Sequence, residues 1–424
     1  MQNYRPRIID TTLKTRLKSI GAVLIEGPKQ CGKTTTATNM AASTLFMAQA
    51  GQMQQNIELA QINPSLLLKG QTPRLIDEWQ IAPQLWDAVR FEVDQRQAFG
   101  QFILTGSAVP ADRSHIFHSG TGRISWLTMR TMSLFESGDS NGQVSLQTLF
   151  DKQSDFGATA DLTLERIAFL TCRGGWPISI NRNETQALGY VREYLEAIVK
   201  SDINRIDGIS RREDTVRRLM RSYSRFQGSQ TSITAISEDI SSSDGVPTHA
   251  KTVVSYINAL KQIFVIEDLP AWNPNLRSKT AIRTSDTRYF SDPSYATAAL
   301  RVGPQALLQD LKTFGFLFET LCIRDLRIYS ESIDGCVYHY RDKTDLECDA
   351  VVALNDGRYG LIEIKIGGDS YIEHGAQTLK KLADKIDTSK MPTPSFLMVL
   401  TAVGNYAYRR KDGVFVIPIG CLRN

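Results

Sequence analysis

The chain has 424 residues, enough for two or three domains, since a single core rarely grows past ~250–300 residues. Apolar residues make up 42% and charged residues 22%, the balance of a globular protein and not of a disordered one. A formal net charge of +4 is too small to mark a nucleic-acid partner by itself, so local clusters must carry any such reading. No apolar run approaches the ~18 residues of a membrane helix, so no membrane partner is expected. Met1 to Arg7 is charged with no apolar segment behind it, which argues against a secretory signal. The six cysteines contain no C-x-x-C pair; reduced thiols in a cytoplasmic protein are expected, with neither a disulfide frame nor a zinc site.

Arg7 to Gly21 has Ile8, Ile9, Leu13, Leu17 and Ile20 spaced for one face of a basic amphipathic helix. Ala22-Val23-Leu24-Ile25 then reads as a buried parallel strand, and Thr34 to Ala42 as the start of a helix. Between them Gly27, Pro28, Lys29, Gln30, Cys31, Gly32, Lys33 and Thr34 fit G-x-x-x-x-G-K-[ST]. Such a loop wraps a polyphosphate with backbone N–H groups and the positive end of the following helix. The expected nucleotide contacts run from Gly27 through Thr35. Lys33 reaches the β- and γ-phosphates, and the Thr34 hydroxyl ligates Mg²⁺, so the expected cofactors are ATP and Mg²⁺.

Downstream, Arg74-Leu75-Ile76-Asp77-Glu78 is an apolar strand ending in two carboxylates. Asp77 is expected to hold Mg²⁺ through water, and Glu78 to orient and deprotonate the attacking water. Gln101 to Ser107 is a further strand ending in small polar residues. In ATPases of the additional-strand class a polar group there touches the γ-phosphate or the lytic water, which makes Thr105, and next Ser107, the candidates. Arg123 follows a glycine pair, the place of an arginine finger or, equally, of a surface ion pair.

The stretches G-P-K-Q-C-G-K-T-T, L-I-D-E-W-Q, F-I-L-T-G-S, G-R-I and L-F-E resemble the AAA-type ATPases of the AAA_14/DUF4143 group. That family usually carries Arg at the position of Lys29 and an aliphatic residue at that of Trp79. Closed rings of such ATPases place an arginine of one subunit at the next subunit's nucleotide, so a homo-oligomer is a candidate state.

Gly138 to Thr159 is rich in Gly, Ser, Asp and Gln and reads as a link. Gly174-Gly175-Trp176-Pro177 looks like a structural element of the DUF4143 region, and Lys200 with Asp202 resembles that family's K-x-D-I. Arginines 205, 211, 212, 217, 218, 221 and 225 crowd one region, interleaved with Asp207, Glu213 and Asp214. They read as a phosphate-neutralising patch, a solvated helix face, or a source of arginine for a neighbouring subunit. Ser232 to Ile240, Pro247 to Leu260 and Phe264 to Leu269 read as helix, helix and strand, resembling a winged helix with His249, Lys251 and Lys261 available to DNA.

In the last third, Phe314 to Leu321 reads as a helix carrying Glu319. Asp345 to Val352 and Leu361 to Lys365 read as strands joined at Asn355-Asp356-Gly357, a hairpin signal. Alternation places Glu347 with Asp349, and Glu363 with Lys365, on one face each. Two carboxylates and a lysine on neighbouring strands suit metal-dependent phosphodiester cleavage, with Asp349 and Glu363 on Mg²⁺ and Lys365 at the water. The D-(x13)-E-x-K spacing with Glu319 upstream resembles the PD-(D/E)XK restriction-endonuclease fold.

The expected architecture is α/β in three parts: a P-loop parallel-sheet ATPase domain over 1–150, a helical and winged-helix domain over 160–275, and a nuclease-like α/β domain over 285–424. The expected function is Mg²⁺-dependent ATP binding and hydrolysis coupled to DNA binding or processing. The alternatives are an ATP-dependent regulatory or protein-binding switch that cleaves nothing, and a P-loop kinase, against which Glu78 argues.

Overall fold

The computed structural model describes residues 4–107, 119–151, 157–242, 247–275, 277, 279 and 282–424. The chain forms two compact units. Residues 1–131, 197–211 and 258–265 make the first; residues 132–196, 212–257 and 266–424 make the second.

The first unit is built on a five-stranded sheet of β1 (Ala22–Glu26), β2 (Ser43–Phe46), β3 (Arg74–Asp77), β4 (Phe102–Gly106) and β5 (Ile124–Thr128), in the order β2-β3-β4-β1-β5. All its pairings are parallel. The continuous apolar runs of β1 and β4 follow from burial on both faces. Val23 and Ile25 point to one face, where they pack with Leu13 and Ala37 of the helices Ile9–Leu17 and Lys33–Met40. Ala22 and Leu24 point to the other, against Ala60, Leu85, Trp86 and Val89 of the helices Met53–Ile62 and Leu85–Arg96. On that side Trp86 lies between Trp79 and Trp126, with ring centroids 5.0 and 5.5 Å away. β4 stands between the strand before the glycine loop and the strand ending at Asp77, which is the additional-strand arrangement.

The second unit holds a seven-stranded mixed sheet, ordered β7-β12-β13-β11-β10-β9-β8. Its strands are β7 (Ala158–Thr159), β8 (Gly335–Arg341), β9 (Glu347–Leu354), β10 (Tyr359–Lys365), β11 (Phe396–Thr401), β12 (Tyr406–Arg409) and β13 (Phe415–Pro418). The hairpin expected at Asn355 joins β9 and β10, which pair antiparallel, while β10 and β11 run parallel. The helix Asp369–Lys385 lays Ala376, Leu379 and Leu382 on Val351, Leu361 and Val399. The helix Leu311–Glu331 packs on β8, β9 and β10.

Two expectations need correction. The stretch 138–159 is not a link where it is described: β6 (Val144–Ser145) pairs with β14 (Leu422–Arg423), and β7 pairs with β12. Its described apolar residues, Val144, Leu146, Leu149, Phe150 and Ala158, are all buried, which outweighs its polar composition. Residues 152–156 of that stretch lie outside the described residues. The strand expected at Phe264–Leu269 is reduced to isolated bridges, Ile266 with Phe290 and Leu269 with Thr287. Phe264 takes a left-handed φ of 61°, which interrupts an extended run. Among the described residues no helix is long and apolar enough to cross a membrane.

Candidate functional site

In the first unit the loop Gly27–Gly32 leaves the end of β1 and opens the helix Lys33–Met40. Gly27 has φ 148°, and a Cβ there would stand 2.0 Å from the Met129 carbonyl oxygen, so the close turn requires glycine. The Cys31 thiol, 3.3 Å from the same carbonyl oxygen, and the Arg7 guanidinium, which donates to the Cys31 carbonyl at 2.8 Å, hold the loop from behind. Lys33 is only 5% exposed. Its ammonium donates to the Gly27 and Pro28 carbonyls, each at 2.8 Å. Among the described residues no carboxylate forms an ion pair with it. A buried cation held only by loop carbonyls matches a polyphosphate ligand.

The strand ends assemble the remainder. Asp77 and Thr105 are register partners across β3 and β4. The Thr34 and Thr105 hydroxyls both donate to Asp77 Oδ1, each at 2.6 Å. A hydroxyl and a buried carboxylate at the first turn of the loop helix are oxygen ligands of the kind a hard divalent cation takes, so Thr34 and Asp77 fit Mg²⁺. Glu78 adopts a left-handed conformation with φ 56°. Its N–H donates to Thr105 Oγ1 at 3.3 Å, and its carboxylate accepts from Ser107 at 3.1 Å and from the Gln80 amide. Thus Lys33, Thr34, Asp77, Glu78, Thr105 and Ser107 gather at the carboxyl ends of parallel strands, where open α/β sheets bind ligands.

Arg123 is not among them. It precedes Ile124, which pairs with Ala22 at the opposite end of β1, about 13 Å from the loop at ~3.3 Å per residue. It forms a 2.8 Å ion pair with Asp94. Two partners escaped the sequence reading. Gln80 was visible only as a neighbour of the Asp-Glu pair. Asp202, 173 residues from Lys29, meets its ammonium at 2.6 Å. Arg211, Arg217 and Arg225 of the arginine-rich stretch form ion pairs: Arg211 with Asp207, Arg217 with Glu196 and Glu213, Arg225 with Asp239.

The second unit brings the other acidic set together. Lys365 Nζ lies 2.6 Å from Glu363 and 3.1 Å from Asp349, and the Ile364 N–H donates to Asp349 at 2.7 Å. The Tyr289 hydroxyl donates to Glu319. Gly228, at φ +69°, lies so close that a Cβ would stand 3.0 Å from Glu319 Oε1. A small pocket, with a cavity volume of about 30 Å³, is lined by Glu319, Glu347, Asp349, Gln230, Tyr289 and His339 among others. Burial, then the charge of Asp349, pushes Glu319 well above the usual carboxylate range. The same two causes push Glu363 up to about 8, against the pull of Lys365. Burial disfavours the Lys365 ammonium, but Asp349 and Glu363 outweigh it and raise its pKa. Glu363 Oε1 is buried and has no hydrogen-bond partner among the described residues. Yet the ammonium occupies the space between the two carboxylates, and among the described residues no three His, Cys, Asp or Glu side chains are disposed to hold a metal.

The glycine loop, the inserted β4 and the Asp-Glu strand end define the first unit as a P-loop ATPase fold. Three family models match successive parts of the chain: an AAA domain, AAA_14, over residues 19–137, a domain of unknown function, DUF8612, over 164–306, and a domain of unknown function, DUF4143, over 314–422. The first and last of these models, AAA_14 and DUF4143, are those of the ATPase group that the motifs of the chain resemble. Gly174 to Pro177 fall within the DUF8612 match and not the DUF4143 match, which corrects the expectation for that turn. Among curated proteins none matches. Among solved structures, a Walker-type ATPase of Pyrococcus abyssi aligns at 14% identity over 69% of this chain and 94% of its own, with a TM-score of 0.43. A RuvB variant of Thermotoga maritima aligns at 15% identity over 62% and 89%, with a TM-score of 0.24. Both scores are too low to carry an argument.

Proposed function

We propose that this protein is a Mg²⁺-dependent ATP hydrolase that couples turnover to DNA binding or processing through its nuclease-like second unit. The observation that carries the first half is the Lys33 ammonium, buried and, among the described residues, capped only by the Gly27 and Pro28 carbonyls. ATP exchanges those caps for β- and γ-phosphate oxygens, with loop N–H groups from Gly27 to Thr35 around the chain of phosphates. Thr34 and Asp77 would hold Mg²⁺, which would supply charge neutralisation at the phosphates. Glu78, fixed by Ser107 and Gln80, takes a proton from water as its oxygen bonds to the γ-phosphorus and the bond to the ADP oxygen breaks. Thr105, bonded to Asp77 and to the Glu78 N–H, keeps the two carboxylates in register. Arg123, at the far edge of the sheet, is in reach only of another subunit's nucleotide.

The DNA role rests on the hairpin bearing Asp349, Glu363 and Lys365 beside Glu319. A second reading is a nucleotide-controlled regulatory switch that binds a partner and cuts nothing. It is favoured by the Lys365 ammonium lying between the two carboxylates. Phosphate release with Mg²⁺, with and without duplex DNA, tests the proposal in wild type and Glu78→Gln. Turnover that rises with DNA and vanishes in the variant supports it. DNA-indifferent turnover points to a protein partner, and nucleotide binding without turnover to the switch.

A further inference from the structure

The P-loop carries a second cation, Lys29, four positions before Lys33. Its ammonium is 2.6 Å from Asp202, on the short helix Asp202–Asn204, and the two side chains are 43% and 15% exposed. Asp202 is presented by a built platform. Ile203 and Ile206 are buried. Arg211, whose side chain is 1% exposed, donates to the Ile203 carbonyl at 2.9 Å and grips Asp207 through both terminal nitrogens at 2.8 and 2.6 Å. Its own N–H donates to Asn204 at 2.7 Å. This platform, residues 197–211, belongs to the first unit, while its chain neighbours Glu196 and Arg212 belong to the second.

A carboxylate beside a phosphate-binding loop is electrostatically unfavourable once phosphates arrive. It repels the polyanion and competes with it for Lys29. We propose that Asp202 is the protein's nucleotide sensor. It holds Lys29 while the loop is free of phosphate and is released when phosphates take Lys29 over. The 197–211 platform, through which the helix Glu184–Lys200 enters the first unit, thereby registers the nucleotide.

This inference rests on the nucleotide-binding reading above, and the two fail differently. The test is the Kd of a fluorescent ADP in wild type, Asp202→Asn, Lys29→Met and the double variant, at low and physiological salt. If wild type binds no nucleotide, both fall. If it binds, Asp202→Asn is expected to bind about three- to fivefold tighter at low salt, less so at physiological salt, as suits a half-exposed pair. That gain should shrink when Lys29 is already Met. A purely structural pair gives the opposite sign, since a loosened loop binds more weakly; equal or weaker binding by Asp202→Asn overturns the sensor. Hydrogen exchange in the wild-type protein needs no variant. Faster exchange over residues 202–211 with saturating ADP supports the proposal, and unchanged or slower exchange there refutes it.

Discussion

The two acidic centres use carboxylates in opposite ways. At the strand ends of the first unit, Asp77 and Glu78 are met by neutral donors, the hydroxyls of Thr34, Thr105 and Ser107 and the Gln80 amide. Their negative charge stays available to a cation or a water. In the second unit, Asp349 and Glu363 share one ammonium, and Glu319 meets the Tyr289 hydroxyl in a buried setting. There the charge is consumed internally, by Lys365 or by protonation. Carboxylates of the same residue types are set apart by what faces them: neutral donors in the first unit, an ammonium and a phenol in the second.

Several substitutions strain this contrast, beginning with the largest effect. Glu78→Gln should lower ATP turnover by about 10³-fold, roughly 4 kcal/mol of barrier, while nucleotide affinity changes little; phosphate release and equilibrium binding read the two separately. Lys365→Met should destabilise the second unit by about 3 kcal/mol, because it leaves buried carboxylates without a counter-charge, seen as a lower denaturant midpoint with unchanged nucleotide affinity. If turnover falls with it at temperatures where both units are folded, the centres are not independent. Glu363 also makes a pH prediction. Its pKa is raised to about 8 from an ordinary 4.5, so its contribution to stability is fully present below the ordinary value and lost as pH rises through about 8. The second unit should melt lower at pH 9 than at pH 6, and Glu363→Gln should flatten that slope. Gly228→Ala meets both a left-handed φ and Glu319, and should cost about 1 kcal/mol. Arg123→Ala, which loses one exposed pair with Asp94, should cost less than about 1 kcal/mol and leave turnover in dilute protein unchanged. A loss of turnover that depends on protein concentration would instead place this arginine at a neighbour's nucleotide.

The first centre was largely legible in sequence because its parts are local. Gly27 to Thr34 is one contiguous loop, and Asp77, Glu78 and Thr105 close strands whose apolar runs announce their register. The β9–β10 hairpin was legible for the same reason, through Asn355 to Gly357 and the alternation of Glu363 and Lys365. The remainder depends on distance in the chain. Nothing in the sequence near Asp202 says that it meets Lys29, nor near Tyr289 that it meets Glu319. Arg123 left both its readings open because a glycine pair before an arginine looks alike at either end of a strand, and only the pairing of Ile124 with Ala22 tells which end it occupies. The polar stretch 138–159 hid its strands because two-residue pairings leave no periodicity to read.

The row of Trp79, Trp86 and Trp126 gives the ATPase unit an optical identity. Of the five tryptophans, these three belong to the first unit, and Trp176 and Trp272 to the second. Trp79 directly follows Glu78, and its buried indole N–H finds no partner among the described residues. A rearrangement of Glu78 would change the surroundings of a fluorophore already in contact with Trp86, which itself touches Trp126. Tryptophan emission therefore offers a label-free signal of what happens at the Asp77–Glu78 strand end, with Trp176 and Trp272 as a background that a Trp79→Phe variant would leave in place.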